Sequence, residues 1–331
     1  MGNFLDTPII DKETDVGEDE SKGLKYGLSA MQGWRAQMED DHVQILSLPQ
    51  VPDCSLFGVF DGHGGDMVAH YAARHFPDVL QNTKLIAPNM PHEDFVAAST
   101  KAFETALMQI DDDMLHLPQV ESGQDQSGST SVMTLMSPRY IVCANTGDSR
   151  AVLARAGQAV TLSNDHKPYL PEEKERIEKA NGQVKFNRVN GDLAVSRALG
   201  DFVYKRCESV GAKEQAVTAF PEIIAEERHE ADQFIVLACD GIWDVMSSQE
   251  VVDKVLDMLQ NGRPAAGPED SSMAGANEED ESEAPPKPPR QWDLGAVCEA
   301  LIDHCLRLGS RDNMSVIIVL LQAGLHPKPS S

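Results

Sequence analysis

Acidic residues stand directly beside several apolar runs of this 331-residue sequence. Asp61 follows the run SLFGVF, Asp240 follows QFIVLAC, and Asp312 precedes NMSVIIVLL. Asp is a common turn residue, so each position taken alone is consistent with a turn and nothing more. Because the ends of strands can gather at one edge of a sheet, the repeated pattern predicts a cluster of carboxylates there.

Two other segments add acids to this pattern. Glu39, Asp40 and Asp41 precede a predicted strand near Val43, and Asp148 lies in the turn of a predicted hairpin, CANTGDSRAVL. Carboxylates held close together repel one another unless cations neutralise them. Carboxylate and carbonyl oxygens suit Mg²⁺ or Mn²⁺, and the sequence lacks the Cys/His spacing of a zinc site. The pattern therefore predicts a site for hard divalent cations.

Such a site suits phosphoryl chemistry. Two divalent ions roughly 3.5–4 Å apart can hold and deprotonate an attacking water near neutral pH. Arg35, four residues before Glu39, could clamp two phosphate oxygens, although a surface ion pair is the simpler alternative. His63 can supply the proton that a leaving alkoxide needs. The segment Asp61-Gly62-His63 would then combine a metal ligand, a carbonyl ligand and an acid.

The elements that position these residues are predicted from hydrophobic periodicity. Strands are predicted at YGLSAMQG, HVQILSL, SLFGVF, STSVMTLMS, RYIVCAN, RAVLAR, QFIVLAC and NMSVIIVLL. Helices are predicted at 66–76, about 93–115, 171–181, 248–260 and 293–308. Runs of strands joined by short turns disfavour a parallel βαβ layout and predict an α+β fold with antiparallel sheets.

Composition narrows the class of protein. The formal net charge of −25 argues against nucleic-acid binding, because a phosphate backbone would be repelled. Six cysteines without CxxC spacing predict buried free thiols in a reducing compartment. No apolar stretch reaches the length of a membrane span. We therefore expect an intracellular protein without an integral membrane segment.

Two segments depart from the globular pattern. Residues 1–23 are polar and charged, which fits either a tail or an edge strand. Residues 261–290 are rich in Pro, Gly, Ala, Ser and acids, so they cannot bury enough apolar surface to fold and are predicted to be a disordered insertion. Its PPKPP run is typical of a polyproline ligand, with a passive loop as the alternative.

Six motifs in order carry a resemblance to a known family. They are YGLSAMQGWRAQMED, FGVFDGHGG, NTGDSRAVL, NGDLAVSRALGDF, CDGIWDVM and GSRDNMSVIIV, which together span about residues 20–322. The series resembles the metal-dependent protein phosphatases of the PP2C (PPM) family. The start MGNFLDTP is similar to the animal alpha/beta-type members.

The resemblance implies a four-layer αββα sandwich with two Mn²⁺ or Mg²⁺ ions at one edge. It implies hydrolysis of phosphoserine and phosphothreonine by direct attack of metal-activated water, without a phosphoenzyme intermediate. The metal ligands that it implies are Asp61, Gly62 through its carbonyl, Asp240, Asp312, Glu39 with Asp40 in support, and Asp148 with Asp244 for a weaker third ion. Arg35 would bind the phosphate and His63 would be the general acid, so we expect an active enzyme.

The resemblance also implies a domain plan. Residues 1–22 would be a tail, 23–322 the phosphatase domain with a flap at about 165–207, and 323–331 a second tail. Lys167, Lys185 and Arg188 of the flap could meet acidic phosphopeptides or be ordinary solvated surface. We expect no additional C-terminal helical domain.

Partners and location are expectations of the same kind. We expect phosphorylated protein substrates, a monomer, and a cytoplasmic protein that is partly membrane-associated or nuclear. Gly2 is a candidate for myristoylation, although Asp6 replaces the usual Ser or Thr and a single chain anchors weakly. A catalytically inert scaffold and a hydrolase of small phosphate metabolites are the alternative functions.

The insertion gives a first testable prediction. Replacing residues 263–289 by a short Gly/Ser linker is expected to change thermal stability and phosphopeptide turnover little, because loop-closure entropy varies slowly with loop length. Calorimetry and steady-state kinetics on the two proteins measure both effects. A large loss of turnover would place the insertion in the substrate site.

Overall fold

The computed structural model describes residues 4–261 and 293–321. Within these ranges the strands, in chain order, are β1 (Phe4–Asp19), β2 (Leu24–Arg35), β3 (Asp41–Ile45), β4 (Ser55–Phe60), β5 (Gly62–His63), β6 (Gly128–Ser129), β7 (Ser131–Met136), β8 (Tyr140–Thr146), β9 (Arg150–Arg155), β10 (Gln158–Thr161), β11 (Val184–Lys185), β12 (Arg188–Val189), β13 (Leu199–Gly200), β14 (Glu222–Glu227), β15 (Asp232–Ala238) and β16 (Met314–Leu321).

Helices lie between these strands along the described ranges of the chain. In chain order they are α1 (Met67–Asn82), α2 (His92–Leu115), α3 (Pro118–Glu121), α4 (Pro171–Lys179), α5 (Asp240–Trp243), α6 (Ser248–Asn261) and α7 (Leu294–Leu308), with 3-10 turns at Phe202–Tyr204 and Ala212–Glu214. None of these helices combines the length and apolarity that a membrane span requires.

Two antiparallel sheets pack face to face. The six-stranded sheet has the order β1-β2-β16-β15-β9-β10 and the five-stranded sheet the order β14-β8-β7-β4-β3. Helices α1 and α2 pack on the outer face of the five-stranded sheet, and α6 and α7 pack on that of the six-stranded sheet. The predicted α+β class and αββα sandwich are confirmed.

Strand β16 shows why the strands read as unbroken apolar runs. Its side chains alternate between faces, as in every β-strand. Val316, Ile318 and Leu320 pack toward the helices, and Ile317, Val319 and Leu321 pack between the two sheets. Because both faces of this sheet are covered, no position along β16 requires a polar side chain.

The eight predicted strands and five predicted helices are present, with two local differences. Strands β8 and β9 belong to different sheets, so the segment around Asp148 crosses between the sheets and the predicted hairpin is wrong. Helix α1 continues six residues past the predicted end at 76, through Pro77. The buried side chains of Pro77 and Leu80 pack on the core, which outweighs the missing backbone hydrogen bond.

The N-terminal segment is an edge strand over Phe4–Asp19, so the tail interpretation of residues 1–22 is wrong for that stretch. Strand β1 pairs with β2 along its length. Its polar side chains are used in contacts: Lys12 pairs with Asp303 of α7 at 2.7 Å, and the Tyr26 hydroxyl donates to Asp15 at 2.6 Å. A charged sequence therefore serves as a protected sheet edge.

The flap has a small core of its own. Ile177 of α4 packs with Val189, Val195 and Val217, so the flap extends past the predicted boundary at residue 207. An ion pair between Glu173 and Arg197 at 2.7 Å stabilises the flap from within, and one between Lys205 and Asp111 at 2.7 Å ties it to α2.

Several predictions concern residues that the structure does not describe. The predicted insertion at 261–290 lies outside the described residues except for its first position, and so do residues 323–331 and Gly2. The six cysteines are free, and five of them are buried, as predicted.

A close approach between β2 and α7 gives the prediction for the fold. A Cβ atom at Gly27 would lie 2.4 Å from the carbonyl carbon of Leu294, which is backbone and cannot rotate away. Gly27→Ala is expected to lower the free energy of unfolding by about 2 kcal/mol or more through overpacking. Gly211→Ala is the matched control, because its Cβ would meet only the flexible end of Glu214 at 2.8 Å. Denaturant titration measures both, and equal effects would contradict this packing.

Candidate active site

The acidic residues singled out in the sequence converge at one edge of the sandwich. Asp61 follows β4, Asp240 begins α5 directly after β15, and Asp312 precedes β16. The loop between β2 and β3 supplies Glu39 and Asp40, and the crossover between β8 and β9 supplies Asp148. The strand ends therefore meet at one edge of the sandwich, as the sequence predicts.

The centre of this edge is a group of three carboxylates. Asp61, Asp148 and Asp240 each offer an oxygen within 4.8 Å of the others. Burial raises the pKa of Asp61 well above its usual value, and the charges of Asp240 and Asp40 raise it further. Burial, then Asp148 and Asp312, raise the pKa of Asp240 in the same way. The positive charges nearby therefore do not fully offset the cost of ionising this group.

Asp40 and Cys239 lie against the same group. An oxygen of Asp40, an oxygen of Asp61 and the Cys239 sulfur also lie within 4.8 Å of one another. Ser315 Oγ donates to Asp40 Oδ2 at 2.7 Å, while the buried Asp40 Oδ1 has no hydrogen-bond partner. Burial raises the pKa of Asp40 to about 7.

The donor set fits a hard cation. Burial and the charge of Asp40 raise the pKa of Cys239 well above its usual value, so its sulfur remains a thiol. That thiol donates to the Asn313 carbonyl at 3.4 Å and accepts from the Ser315 amide at 3.1 Å. The atoms left for a ligand are carboxylate oxygens, one of them without a partner, which is the set that Mg²⁺ or Mn²⁺ prefers.

Both Asp-Gly pairs have the same structural reason. A Cβ at Gly62 would lie 2.1 Å from the Glu39 carbonyl oxygen, and one at Gly241 would lie 2.1 Å from the Asn313 carbonyl oxygen. Glycine is therefore required after each Asp because a neighbouring loop passes directly over the backbone.

Asn313 joins these loops and has no role in the predictions made from sequence. Its Nδ2 donates to the carbonyls of Gln32 at 2.8 Å and Gln37 at 3.0 Å, and its Oδ1 accepts from the Glu39 amide at 3.0 Å. The sequence gives one indication of its importance, because Asn313 follows Asp312 in the motif GSRDNMSVIIV.

Arg35 lies beside the carboxylates and is paired with one of them. Its Nη2 donates to Asp312 Oδ2 at 2.6 Å, whereas its buried Nε has no partner. Burial would lower the pKa of Arg35, but the charges of Asp312 and Asp240 outweigh that effect and raise it. Arg35 therefore keeps its charge and has donor capacity to spare.

Glu39 and Asp244 lie at the margins of the group. Glu39 Oε1 accepts from the Gly65 amide at 2.7 Å. Burial raises the pKa of Asp244, and the charges of Asp148 and Asp312 add to this against the opposing effect of Lys167. Both carboxylates therefore border the edge without belonging to the central three.

His63 forms a pair that the sequence analysis did not include. His63 Nε2 donates to Asp201 Oδ2 at 2.7 Å. Burial would lower the pKa of His63, but the charge of Asp201 outweighs it and the net pKa is raised. A Cβ at Gly128 would lie 2.2 Å from Asp201 Oδ2, so the pair fits against bare backbone. The sequence indicates a role for Asp201 only through its place in the motif NGDLAVSRALGDF.

The basic residues of the flap divide into two groups. The Lys167 ammonium forms an ion pair with Asp148, so it meets the carboxylates of the site. Lys185 and Arg188 lie on the exposed β11–β12 hairpin, where Arg188 donates to the Asp192 carbonyl at 2.6 Å. Only Lys167 of the three is in the site.

A sandwich with carboxylates, an arginine and a histidine at one edge matches a known family. The protein phosphatase 2C family model matches residues 24–314. The bovine (Bos taurus) protein phosphatase 1B is 41% identical over 333 residues, covering 96% of this chain and 60% of the relative. The mouse (Mus musculus) protein phosphatase 1A is 41% identical over 335 residues, covering 100% of this chain and 78% of the relative.

Solved structures agree on the fold. A phosphatase from Toxoplasma gondii superposes with a TM-score of 0.72 at 24% identity, covering 95% of this chain and 96% of the other. A sex determining protein from C. elegans gives a TM-score of 0.70 at 22% identity, covering 92% and 68%. The chain belongs to the protein phosphatase 2C family.

The central carboxylates give the prediction for the site. Because the pKa of Asp61 is raised in the folded protein, its charge opposes folding once the pH exceeds the usual carboxyl pKa of about 4. In EDTA at pH 8, Asp61→Asn is therefore expected to melt at a higher temperature than the wild type. In saturating Mn²⁺ the order is expected to reverse, because only the wild type gains the full binding energy.

Differential scanning calorimetry at pH 8 and pH 4 measures this crossover. The two proteins are expected to differ little at pH 4 in EDTA, where Asp61 is protonated in the folded protein and about half protonated in the unfolded chain. Asp53→Asn, at an exposed acid away from the site, is the matched control and should follow the wild type. Equal stabilisation of Asp61→Asn and wild type by Mn²⁺ would contradict a cation site at Asp61.

Proposed function

We propose that this chain is a divalent-cation-dependent protein-serine/threonine phosphatase. The observation that carries the proposal is the group formed by Asp61, Asp148 and Asp240 beside the charged Arg35. Membership of the protein phosphatase 2C family, whose general activity is metal-dependent dephosphorylation, supports the same conclusion.

Two Mn²⁺ or Mg²⁺ ions are proposed for each site. The residues that would hold them are Asp61, the Gly62 carbonyl, Asp240, Asp312 and Glu39, with Asp40 in support; Asp148 and Asp244 would hold a weaker third ion. When bound, such ions supply Lewis-acid chemistry that activates a water for direct attack on phosphorus.

Arg35 binds and orients the phosphate. Its Nη2 is committed to Asp312, and the remaining N–H groups of the planar guanidinium can donate to phosphate oxygens. Because Asp312 fixes one side of the guanidinium, the other side is held in place before the substrate arrives. This reduces the ordering that binding requires.

His63 supplies the proton for the leaving group. Its Nε2 is held by Asp201, so the ring atom left to donate is Nδ1. As the bond between phosphorus and the serine oxygen breaks, the electron pair stays on that oxygen, which takes the Nδ1 proton. The attacking water supplies the fourth oxygen of the phosphate, so the products are inorganic phosphate and the free hydroxyl. The raised pKa of His63 favours the protonated imidazole that this step needs.

The nucleophile is proposed to be water, with no phosphoenzyme intermediate. Cys239, the cysteine that lies against the carboxylates, is a poor nucleophile because burial raises its pKa and both its hydrogen-bonding directions are in use. The carboxylates, Arg35 and His63 have other proposed roles, so an activated water is the proposed nucleophile.

The substrates are proposed to be phosphorylated proteins. A hydrolase of small phosphate metabolites would use the same chemistry, so turnover of phosphopeptides against sugar phosphates and nucleotides separates the two. A catalytically inert scaffold would hydrolyse neither with Mn²⁺ present.

We also propose a monomeric, mainly cytoplasmic protein, with Gly2 acylation giving a reversible membrane fraction.

The role of His63 is tested with two substrates. Serine leaves as a strongly basic alkoxide, while p-nitrophenyl phosphate releases a weak base that hardly needs a proton. His63→Gln is expected to slow phosphoserine peptides by about 10²–10³ and the aryl phosphate far less. The exposed His92→Gln is the matched control. Equal losses on both substrates would mean that His63 positions a ligand or a water instead.

Asp201 is tested through the pH dependence of peptide turnover. The Asp201 charge favours protonated His63, and a general acid stops working as the pH rises through its pKa. Asp201→Asn is therefore expected to move the alkaline fall of kcat on a phosphoserine peptide to lower pH. An unshifted profile with a uniformly lower kcat would assign Asp201 a structural role only.

A further inference from the structure

A second arginine stands at the rim of the proposed active site. Arg311 directly precedes Asp312, and its guanidinium carbon lies 5.3 Å from the ring centroid of Phe4 and 5.4 Å from that of Trp34. Contact with two rings orients a planar guanidinium that is otherwise exposed.

Arg311 has no acidic partner within residues 4–261 and 293–321, although the whole chain carries 53 acidic and 28 basic residues. Arg139 makes the contrast clear. It also lies over an aromatic ring, that of Tyr140 at 5.6 Å, but it pairs with Glu227 at 2.9 Å. Among the described residues, nothing therefore occupies the N–H donors of Arg311, which can bind an added anion.

Arg311 is next to the proposed phosphate-binding arginine. The Phe4 ring lies 5.9 Å from the guanidinium carbon of Arg35 and so contacts both arginines. Trp34 directly precedes Arg35, and Asp312 pairs with Arg35 at 2.6 Å. An anion bound at Arg311 would therefore lie beside a phosphate held by Arg35.

We propose that Phe4, Trp34 and Arg311 form a subsite for an acidic residue of the substrate, close to the phosphorylated residue. The guanidinium carbons of Arg35 and Arg311 lie 5.9 Å and 5.3 Å from the same Phe4 ring centroid, which limits the distance between the two arginines. Because an extended chain advances roughly 3.3 Å per residue, a peptide can span that distance with the carboxylate within about three residues of the phosphorylated one. The subsite gives the enzyme a preference for phosphopeptides with Glu or Asp at that spacing. This inference rests on the proposed phosphatase function.

A peptide panel tests the subsite. Phosphothreonine peptides with otherwise neutral residues carry one Glu, moved from three residues before the phosphothreonine to three residues after it. With Mn²⁺ at low salt, at least one position is expected to raise kcat/KM about threefold to tenfold over the all-neutral peptide, mainly through KM. Arg311→Gln is expected to bring this ratio to about one.

Two further variants separate charge from geometry. Arg311→Lys keeps the charge but loses the planar fork, so it is expected to retain only part of the preference. Arg139→Gln removes one exposed arginine elsewhere and is expected to retain the whole preference. Raising the ionic strength is expected to reduce the wild-type preference.

The possible failures are distinguishable. A wild-type enzyme that hydrolyses all peptides without preferring any Glu position would overturn the subsite and leave the phosphatase function standing. A preference that survives in Arg311→Gln, or disappears in Arg139→Gln, would also overturn it. No turnover of any peptide with Mn²⁺ would overturn the proposed function itself.

Discussion

The arrangement of the site depends on the repulsion between carboxylates that the fold holds together at one edge. Asp61, Asp148 and Asp240 lie within reach of a single cation, and their surroundings raise the pKa of Asp61 and Asp240. Such a group is unfavourable without added positive charge, and a fold retains it at a cost in stability. The same repulsion would favour the binding of divalent cations at this edge, which would link the stability of the chain to its proposed chemistry.

The sandwich supplies the rigidity that this repulsion requires. Two sheets covered on both faces fix the strand ends, so the acids that follow them cannot move apart. The Asn313 side chain ties the segment before β16 to the end of β2 and to the β2–β3 loop, and glycine at positions 62 and 241 lets neighbouring backbone close over the site. Charge is added from two sides, by Arg35 from β2 and by Lys167 from the flap. The flap therefore contributes to the electrostatics of the centre as well as to its rim.

The features of the structure that could be predicted are those that depend on residues close together in the sequence. The apolar runs gave the main strands, and Asp61 and Asp240 were found because each follows such a run. Contacts between distant residues were not predictable in this way: His63 and Asp201 are 138 residues apart, and no periodicity relates them. The crossover at Asp148 was missed for the same reason, since a short turn between two strands is typical of a hairpin. The sequence of β1 is consistent with either a tail or an edge strand, because the partners of its polar residues are far away in sequence.

We propose that the carboxylate edge holds divalent cations and that Asp61 is one of their ligands. Anomalous diffraction from crystals grown with Mn²⁺ tests it most directly, because manganese is then located independently of any assumption about ligands. Two strong anomalous peaks are expected at this edge, with Asp61, Asp240 and Asp312 among the residues that coordinate them. A single peak, or peaks held by other residues with Asp61 uncoordinated, would contradict it.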